Sequence, residues 1–456
     1  MDRIKKMVLR LRRILSTNDL NNTKLISFLT VLSLLILSWG TLFSAYMQQI
    51  YSETISWPVR DGWCTPGIEG LGVHCFGDLY APISVASQSN PWSDGLNLAY
   101  TPLNLFYYKV LGSSLFGSLG SHTSLLANFF FTVLAFCIPG AYIWRNQHKF
   151  EWVSGKWVLL ISLTSAPTLV MIDRGNSSFL LFPLLFFFYR GIQSSSLKMT
   201  SYSLIAMCLW KPQSVILILG VLIFFGLRPF FISLFRIIFS FGFSFLLYPS
   251  NLLQNVYEWL QNSRDYQNYL SNPTPGNYSL VNFFGFIKGS LSLLLQDGMT
   301  IDNAFKPAIS PNAVSVFSMI FAIIIVILLL FAKHQITYPQ FVLSTCVFLI
   351  ALPGTTFSYY FVLMLIPILV VPGEAVKKEL HYISGKLLWT TYLILLVLIV
   401  PAWPFNWNNT PLDIPSGFAI LGINWTGAHF AISLAAMFSV TQLFQSILVS
   451  SKRGTI

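Results

Sequence analysis

The sequence predicts an all-α polytopic membrane protein, with about 12 transmembrane helices and two long loops on the outer face. Three observations carry that prediction. Of the 456 residues, 54% are hydrophobic and 9% charged, where a soluble domain carries roughly a quarter charged. Apolar runs recur along the chain, separated by short polar, proline or glycine breaks. The basic residues gather on one side of those runs. A soluble enzyme, a disordered tail and a coiled coil are excluded by the composition alone.

The first element follows a basic segment. Arg3, Lys5, Lys6, Arg10, Arg12, Arg13 and Lys24 precede the apolar run Leu25–Tyr46, the pattern of a cytoplasmic N-terminus beside anionic lipid. That run exceeds the apolar region of a signal peptide and no small-residue cleavage site follows it, so it reads as a retained first helix. Residues 1–24 form the basic tail, and 25–456 a single transmembrane domain. A long polar and aromatic loop, 47–121, comes next. Apolar runs then lie at His122–Trp144, Trp157–Ile172, Phe179–Tyr189, Tyr202–Trp210, Ser214–Leu227 and Phe230–Tyr248. A second long loop, 249–313, precedes Val314–Ala332, Phe341–Leu352, Phe361–Val371, Leu387–Pro401 and His429–Val449. Several runs are short and end at Pro212, Pro353 or Pro372, and interrupted helices at membrane depth need protein or a watery cavity around them. Thr101–Leu119 holds Lys109 and two glycines and reads as a half-inserted helix on the outer side.

The net charge of +11 does not indicate nucleic acid, because its distribution follows the membrane. With both termini inside, the inner segments, Arg228 and Arg236 included, hold 20 basic residues against five acids, leaving seven basic residues and eleven acids outside. That asymmetry matches the positive-inside rule. Both long loops then face outward.

Candidate chemistry lies in those loops and at the outer helix ends. The first loop holds Asp61, Glu69, Asp78 and Asp94. A carboxylate at the membrane surface can act as general base toward a sugar hydroxyl, although loop acids also cap helices or stay solvated. Asp78 stands out because a helix starts there, and Asp61 is the reserve candidate. Cys64 and Cys75 share the loop, so on an oxidising face they form a disulfide candidate, the alternative being two unpaired thiols. Cys137, Cys208 and Cys346 lie in apolar runs as small core residues. Asp173-Arg174-Gly175-Asn176 joins two apolar runs, where charge is expensive unless used. Lys211 interrupts an apolar stretch beside Pro212. A phosphate would be met by Lys211 as a point charge and by Arg174 bidentately; the competing reading has Lys211 snorkelling and Arg174 paired to Asp173. His74, His122 and His429 are scattered, so no metal site is expected, and no Walker, GxGxxG or HExxH pattern is present.

Five segments in order now resemble one family: GDLYAPISVASQSNPW…LAYTPLNLFYYKVL, DRGNSSFLLFPLLFFFYRG, LIAMCLWKPQSVILIL, TPGNYSLVNFF and LPGTTFSYYFVLMLIPILVV. They are similar to the landmarks of GT-C-fold glycosyltransferases, nearest to the polyprenol-phosphate-mannose-dependent α-mannosyltransferases. The resemblance covers roughly Asp78 to Val371. It implies Asp78 as the catalytic carboxylate, with Lys211, Arg174 and Asn176 at the donor phosphate. Tyr80, Tyr100, Asn277, Tyr278, Tyr359 and Tyr360 are the candidate substrate contacts. Two positions depart from the family pattern: Ser358-Tyr359-Tyr360 stands where a histidine is common, and Tyr100-Thr101-Pro102 replaces Tyr-Pro-Pro. Both bear on the identity of the sugar and the acceptor.

The expected activity is inverting transfer of a sugar, mannose or another hexose or pentose, from a polyprenyl-phosphate donor to a lipid-linked or surface glycan at the outer face of a bacterial plasma membrane. Expected partners are the donor, a glycan or glycolipid acceptor and membrane lipids. No cofactor is required, and a divalent metal is neither implied nor excluded. Competing readings are a lipid or solute transporter or flippase, which would show internal repeats, and a surface-polysaccharide polymerase or ligase.

Overall fold

The computed structural model describes residues 22–50, 77–93, 99–113, 122–270, 311–332, 335–351, 358–372, 374–375, 383–400 and 423–453. Asp61, Cys64, Cys75, Asn277 and Tyr278 lie outside them. Among the described residues the protein is all-α, with no strand.

The elements run α1 (Asn22–Ile50), α2 (Gly77–Ala86), α3 (Pro102–Leu111), α4 (His122–Arg145), α5 (Gly155–Thr164), α6 (Ala166–Arg174), α7 (Leu181–Gln193) and α8 (Leu197–Trp210). They continue with α9 (Ile218–Phe225), α10 (Leu227–Ser244), α11 (Leu252–Leu270), α12 (Pro311–Ala332) and α13 (Tyr338–Ala351). Last come α14 (Ile366–Val370), α15 (Ile383–Ile399) and α16 (Ile423–Arg453). Tighter 3-10 turns fill Ser177–Leu180, Pro212–Leu217 and Ser358–Leu365.

The centre of the bundle is α13, buried at every residue from Pro339 to Ala351. A helix apolar all round needs protein on every side; α14, α16 and the turns Pro212–Leu217 and Ser358–Leu365 supply part of that wall. Neighbours in sequence also pair in space, α7 with α8, α4 with α5, and α15 with α16. The α7–α8 hairpin closes tightly because Gly191 lacks a side chain: a Cβ there would fall 2.4 Å from Thr200 Oγ1. The start of α1 is tied to the end of α14 by Asn22, whose Nδ2 donates to the carbonyls of Ile368 at 3.0 Å and Val371 at 2.8 Å.

The polarity of the bundle is partly reversed from that of a water-soluble protein. Thr30, Thr132, Thr345 and Ser439 are fully buried and return their hydroxyls to carbonyls one turn back. Leu126, Phe130, Phe235, Ile238, Phe239 and Phe331 are exposed. Two described segments, Leu126–Arg145 and Leu227–Leu247, are long and apolar enough to cross a membrane. Other apolar helices come in pieces of 10–17 residues.

Three sequence expectations change, and a fourth segment takes a definite form. The run Trp157–Ile172 is not one helix; it breaks at Ser165, which is extended (φ −70°, ψ 139°) ahead of Pro167 near the start of α6. Arg236, counted with the inner loops, lies inside α10 and is exposed there; its long stem can carry the guanidinium toward an interface. The stretch after Pro249, read as loop, begins with helix α11. Thr101–Leu119 contributes the ten-residue α3, about 15 Å long and too short to cross a bilayer.

Candidate functional site

The site is built where α2, α3, α6 and α8 meet. Asp78 is the second residue of α2. This helix packs on α3 through Leu79, Ile83, Ala86, Tyr108 and Leu111. The start of α3 is set by Thr101, whose hydroxyl accepts from the Asn104 N–H at 3.4 Å, with Pro102 occupying the first helical position. There its missing N–H costs nothing.

The end of α6 is brought to α2 by a glycine. Gly175 closes α6 with φ +65° and ψ 25°, and its N–H donates to the carbonyl of Ile172 at 3.0 Å. The next amide, of Asn176, donates to Met171 at 3.2 Å. A side chain is disfavoured here twice. The left-handed conformation favours glycine, and a Cβ would sit 2.7 Å from Leu79 Cβ. The residue after Asp78 therefore abuts the residue after Arg174. On another side α6 packs on the turn Ser358–Leu365, which carries Tyr359 and Tyr360.

Behind this junction lies a buried polar hub on Ser177. Its N–H donates to the Tyr108 hydroxyl at 3.1 Å, and its hydroxyl donates to Asn104 Oδ1 at 2.6 Å. Its carbonyl accepts the Trp210 indole N–H at 2.7 Å. Thr101 in turn donates to the carbonyl of Trp210 at 3.4 Å. All of these groups have little or no exposure. Among the described residues the Nδ2 of Asn104 has no acceptor, an uncommon state for a buried amide. Asn176, expected at a phosphate, is itself 2% exposed and caps the turn by accepting from the Ser178 N–H at 2.8 Å. That bond shapes the turn and leaves little of the amide open to a ligand.

Lys211 follows Trp210 directly. It ends α8 in an extended conformation, donating its own N–H to the carbonyl of Met207 at 2.7 Å. A cation here complements the negative end of the α8 dipole. Its ammonium lies 5.5 Å from the centre of the Tyr100 ring and 5.9 Å from that of Tyr360, within cation–π range of both. Among the described residues no carboxylate pairs with it. A small crevice of about 10 Å³ lies next to Tyr360, bordered also by Gln213, Ser214, Leu185, Met207, Leu349 and Leu363.

The structure thus brings Lys211, Tyr100 and Tyr360 into contact, and places the backbones carrying Asp78, Tyr80, Arg174 and Tyr359 around them. Sequence reasoning missed Asn104, Tyr108, Ser177 and Trp210; polar residues set in apolar sequence were the available signal. Cys208 and Cys346 are buried and Cys137 half-buried, all free. Among the described residues no three His, Cys, Asp or Glu side chains converge as metal ligands would. Comparison with protein-family models, curated proteins and solved structures gives no match to the chain.

Proposed function

We propose that the chain is a multi-spanning membrane glycosyltransferase that moves a sugar from a polyprenyl-phosphate donor to a glycan or glycolipid hydroxyl at the outer membrane face. The observation that carries this reading is Lys211, a cation without a described carboxylate partner, held between two tyrosine rings at the end of α8, which packs on α3. Such a group suits an anion that arrives from elsewhere. The exposed phenylalanines and leucines of α4, α10 and α12 support burial of those helices in lipid, since apolar surface of that extent is costly in water.

In the proposed reaction the acceptor hydroxyl attacks the anomeric carbon as the bond to the phosphate oxygen breaks. Asp78 takes the hydroxyl proton, and the departing polyprenyl phosphate keeps the bonding electrons. A single displacement inverts the anomeric configuration. Lys211 stabilises the charge that builds on the leaving phosphate, which is the kind of preorganised electrostatic contribution that dominates many enzymes. Tyr100 and Tyr360 hold the ammonium in place. Arg174 is the second cation near the phosphate. The chemistry calls for no nucleotide.

The test is to incubate the purified protein in lipid nanodiscs with polyprenyl-phosphate sugars and a glycolipid acceptor. Release of polyprenyl phosphate in step with an inverted glycosidic product supports transfer. Movement of the intact donor lipid between leaflets, with the sugar still attached, would instead establish a flippase.

A further inference from the structure

Helix α11 divides into three arcs when its residues are placed about 100° apart. Asn255 and Asn262 fall on one side and are buried; their Nδ2 groups donate to the carbonyls of Tyr248 and Trp92, both at 2.7 Å. Gln254, Glu258, Gln261 and Asp265 form a polar flank, with Gln254 donating to Glu258 at 2.7 Å. The third arc is open and mostly apolar: Leu253 is 82%, Tyr257 66% and Leu260 55% exposed, with the exposed Arg264 one turn further on, whose long stem can carry its charge to lipid headgroups.

The path of the chain brings α11 back against the end of α10 through Trp259. Continued in line from α10, Trp259 would lie about 27 Å beyond Phe241. Instead their ring centres are 5.1 Å apart, and Trp259 is 5.9 Å from Phe245. Helix α11 therefore turns across the last turn of α10 rather than running away from it. Both helices expose apolar side chains: Phe235, Phe239, Phe243 and Leu246 in and just after α10, and Leu253, Tyr257 and Leu260 on α11.

We infer that α11 is an in-plane lipid anchor, lying at the outer membrane surface with Leu253, Tyr257 and Leu260 among the lipid chains and its glutamine flank in water. The inference rests on the membrane reading proposed above. Its composition suits this location, as a helix with an apolar face and low net hydrophobicity lies along an interface rather than across it. The anchor reaches the site through three groups: Asn262 holds the Trp92 carbonyl, Trp92 donates its indole N–H to the carbonyl of Tyr100 at 3.1 Å, and the Tyr100 ring faces Lys211. Seating α11 in lipid thus fixes the depth of Tyr100 relative to the membrane surface, and with it the depth at which a lipid-borne phosphate is met.

The test places the photo-cross-linking residue benzoylphenylalanine singly at 239, 253, 257, 260 and 261, in the full chain in nanodiscs of phosphatidylethanolamine and phosphatidylglycerol. All five positions are exposed, so folding is little perturbed. Phospholipid adducts at 239, 253, 257 and 260, and their loss at 261, are expected. Adducts at 239 with none at 253, 257 and 260 would overturn the anchor while leaving the membrane reading standing. Cross-linked dimers from 253, 257 or 260 would overturn it in favour of contact with a second copy. No lipid adduct at 239 would overturn the membrane reading itself, and the anchor with it.

Discussion

Trp210 donates its indole N–H to the carbonyl of Ser177 across 2.7 Å, while its own carbonyl accepts from Thr101. One residue thereby ties the end of α8 to the turn after α6 and to the start of α3. Lys211 is the next residue along the chain and Tyr100 the one before Thr101, so this hydrogen-bonded seam holds the cation and its aromatic neighbour in register.

Replacing Trp210 with Phe keeps most of the ring and removes the N–H. The buried carbonyl of Ser177 then loses a donor, which costs about 1–3 kcal/mol. Thermal unfolding in nanodiscs should show a lowered midpoint for Trp210→Phe. An unchanged midpoint would mean that the seam contributes little to the bundle.

Gly175→Ala and Gly226→Ala separate contact from backbone strain. Both glycines have positive φ, 65° and 91°. Gly175 (ψ 25°) is in the left-handed helical region, where a side chain costs about 1–2 kcal/mol, whereas Gly226 (ψ −176°) is in a region essentially reserved for glycine. Only at Gly175 does the added Cβ also meet a neighbour, Leu79, at 2.7 Å; at Gly226 nothing lies within 4 Å. Both variants should lose stability, but sugar transfer by the folded protein should fall only in Gly175→Ala, because α2 and Asp78 are displaced there. Transfer by folded Gly175→Ala equal to that of Gly226→Ala would show that the α2–α6 contact is compliant.

Asp78→Asn should fold normally and lose sugar transfer by about 10²–10⁴-fold, the usual contribution of a positioned base. Transfer assays on Asp78→Asn and Asp61→Asn decide between the two carboxylates. Full activity in the first and loss in the second would move the base to Asp61.

The two rings around Lys211 give a graded test. Tyr100→Phe and Tyr360→Phe keep the aromatic face, whereas the leucine variants remove it. A cation–π contact worth about 1 kcal/mol corresponds to about a fivefold rise in donor KM for each leucine variant, with the phenylalanine variants much closer to wild type. Equal effects of Phe and Leu would instead assign the role to the hydroxyls.

How much of this was legible in the sequence depends on the range of the interaction. The break after Trp210 could be read from Pro212, and the start of α2 from Gly77-Asp78, because proline and capping residues act locally. The break at Ser165 carried the same kind of signal, a serine followed closely by Pro167, but it was hidden inside a continuous apolar run. Helix α11 was missed because its polar flank dominates its composition; its apolar residues at 253, 257 and 260 recur at helical spacing but cover one narrow arc. The junction itself was not legible. Ser177 meets Asn104 and Tyr108 from about 70 positions away, and nothing in local sequence encodes which of many buried serines will do so. The likeness of ordered motifs to a glycosyltransferase family pointed to Asp78 and Lys211 but did not anticipate that Asn176 would be taken up as a cap.

The central claim is that Lys211 meets the donor phosphate, and steady-state kinetics of Lys211→Ala and Lys211→Arg with a polyprenyl-phosphate sugar test it most directly. Removing the ammonium should raise KM for the donor and lower kcat together, since binding and leaving-group stabilisation use the same charge. Arginine keeps the charge in a different shape and should restore only part of the activity. Wild-type kinetics in Lys211→Ala would contradict the account and leave Lys211 as a cation that merely complements the end of α8.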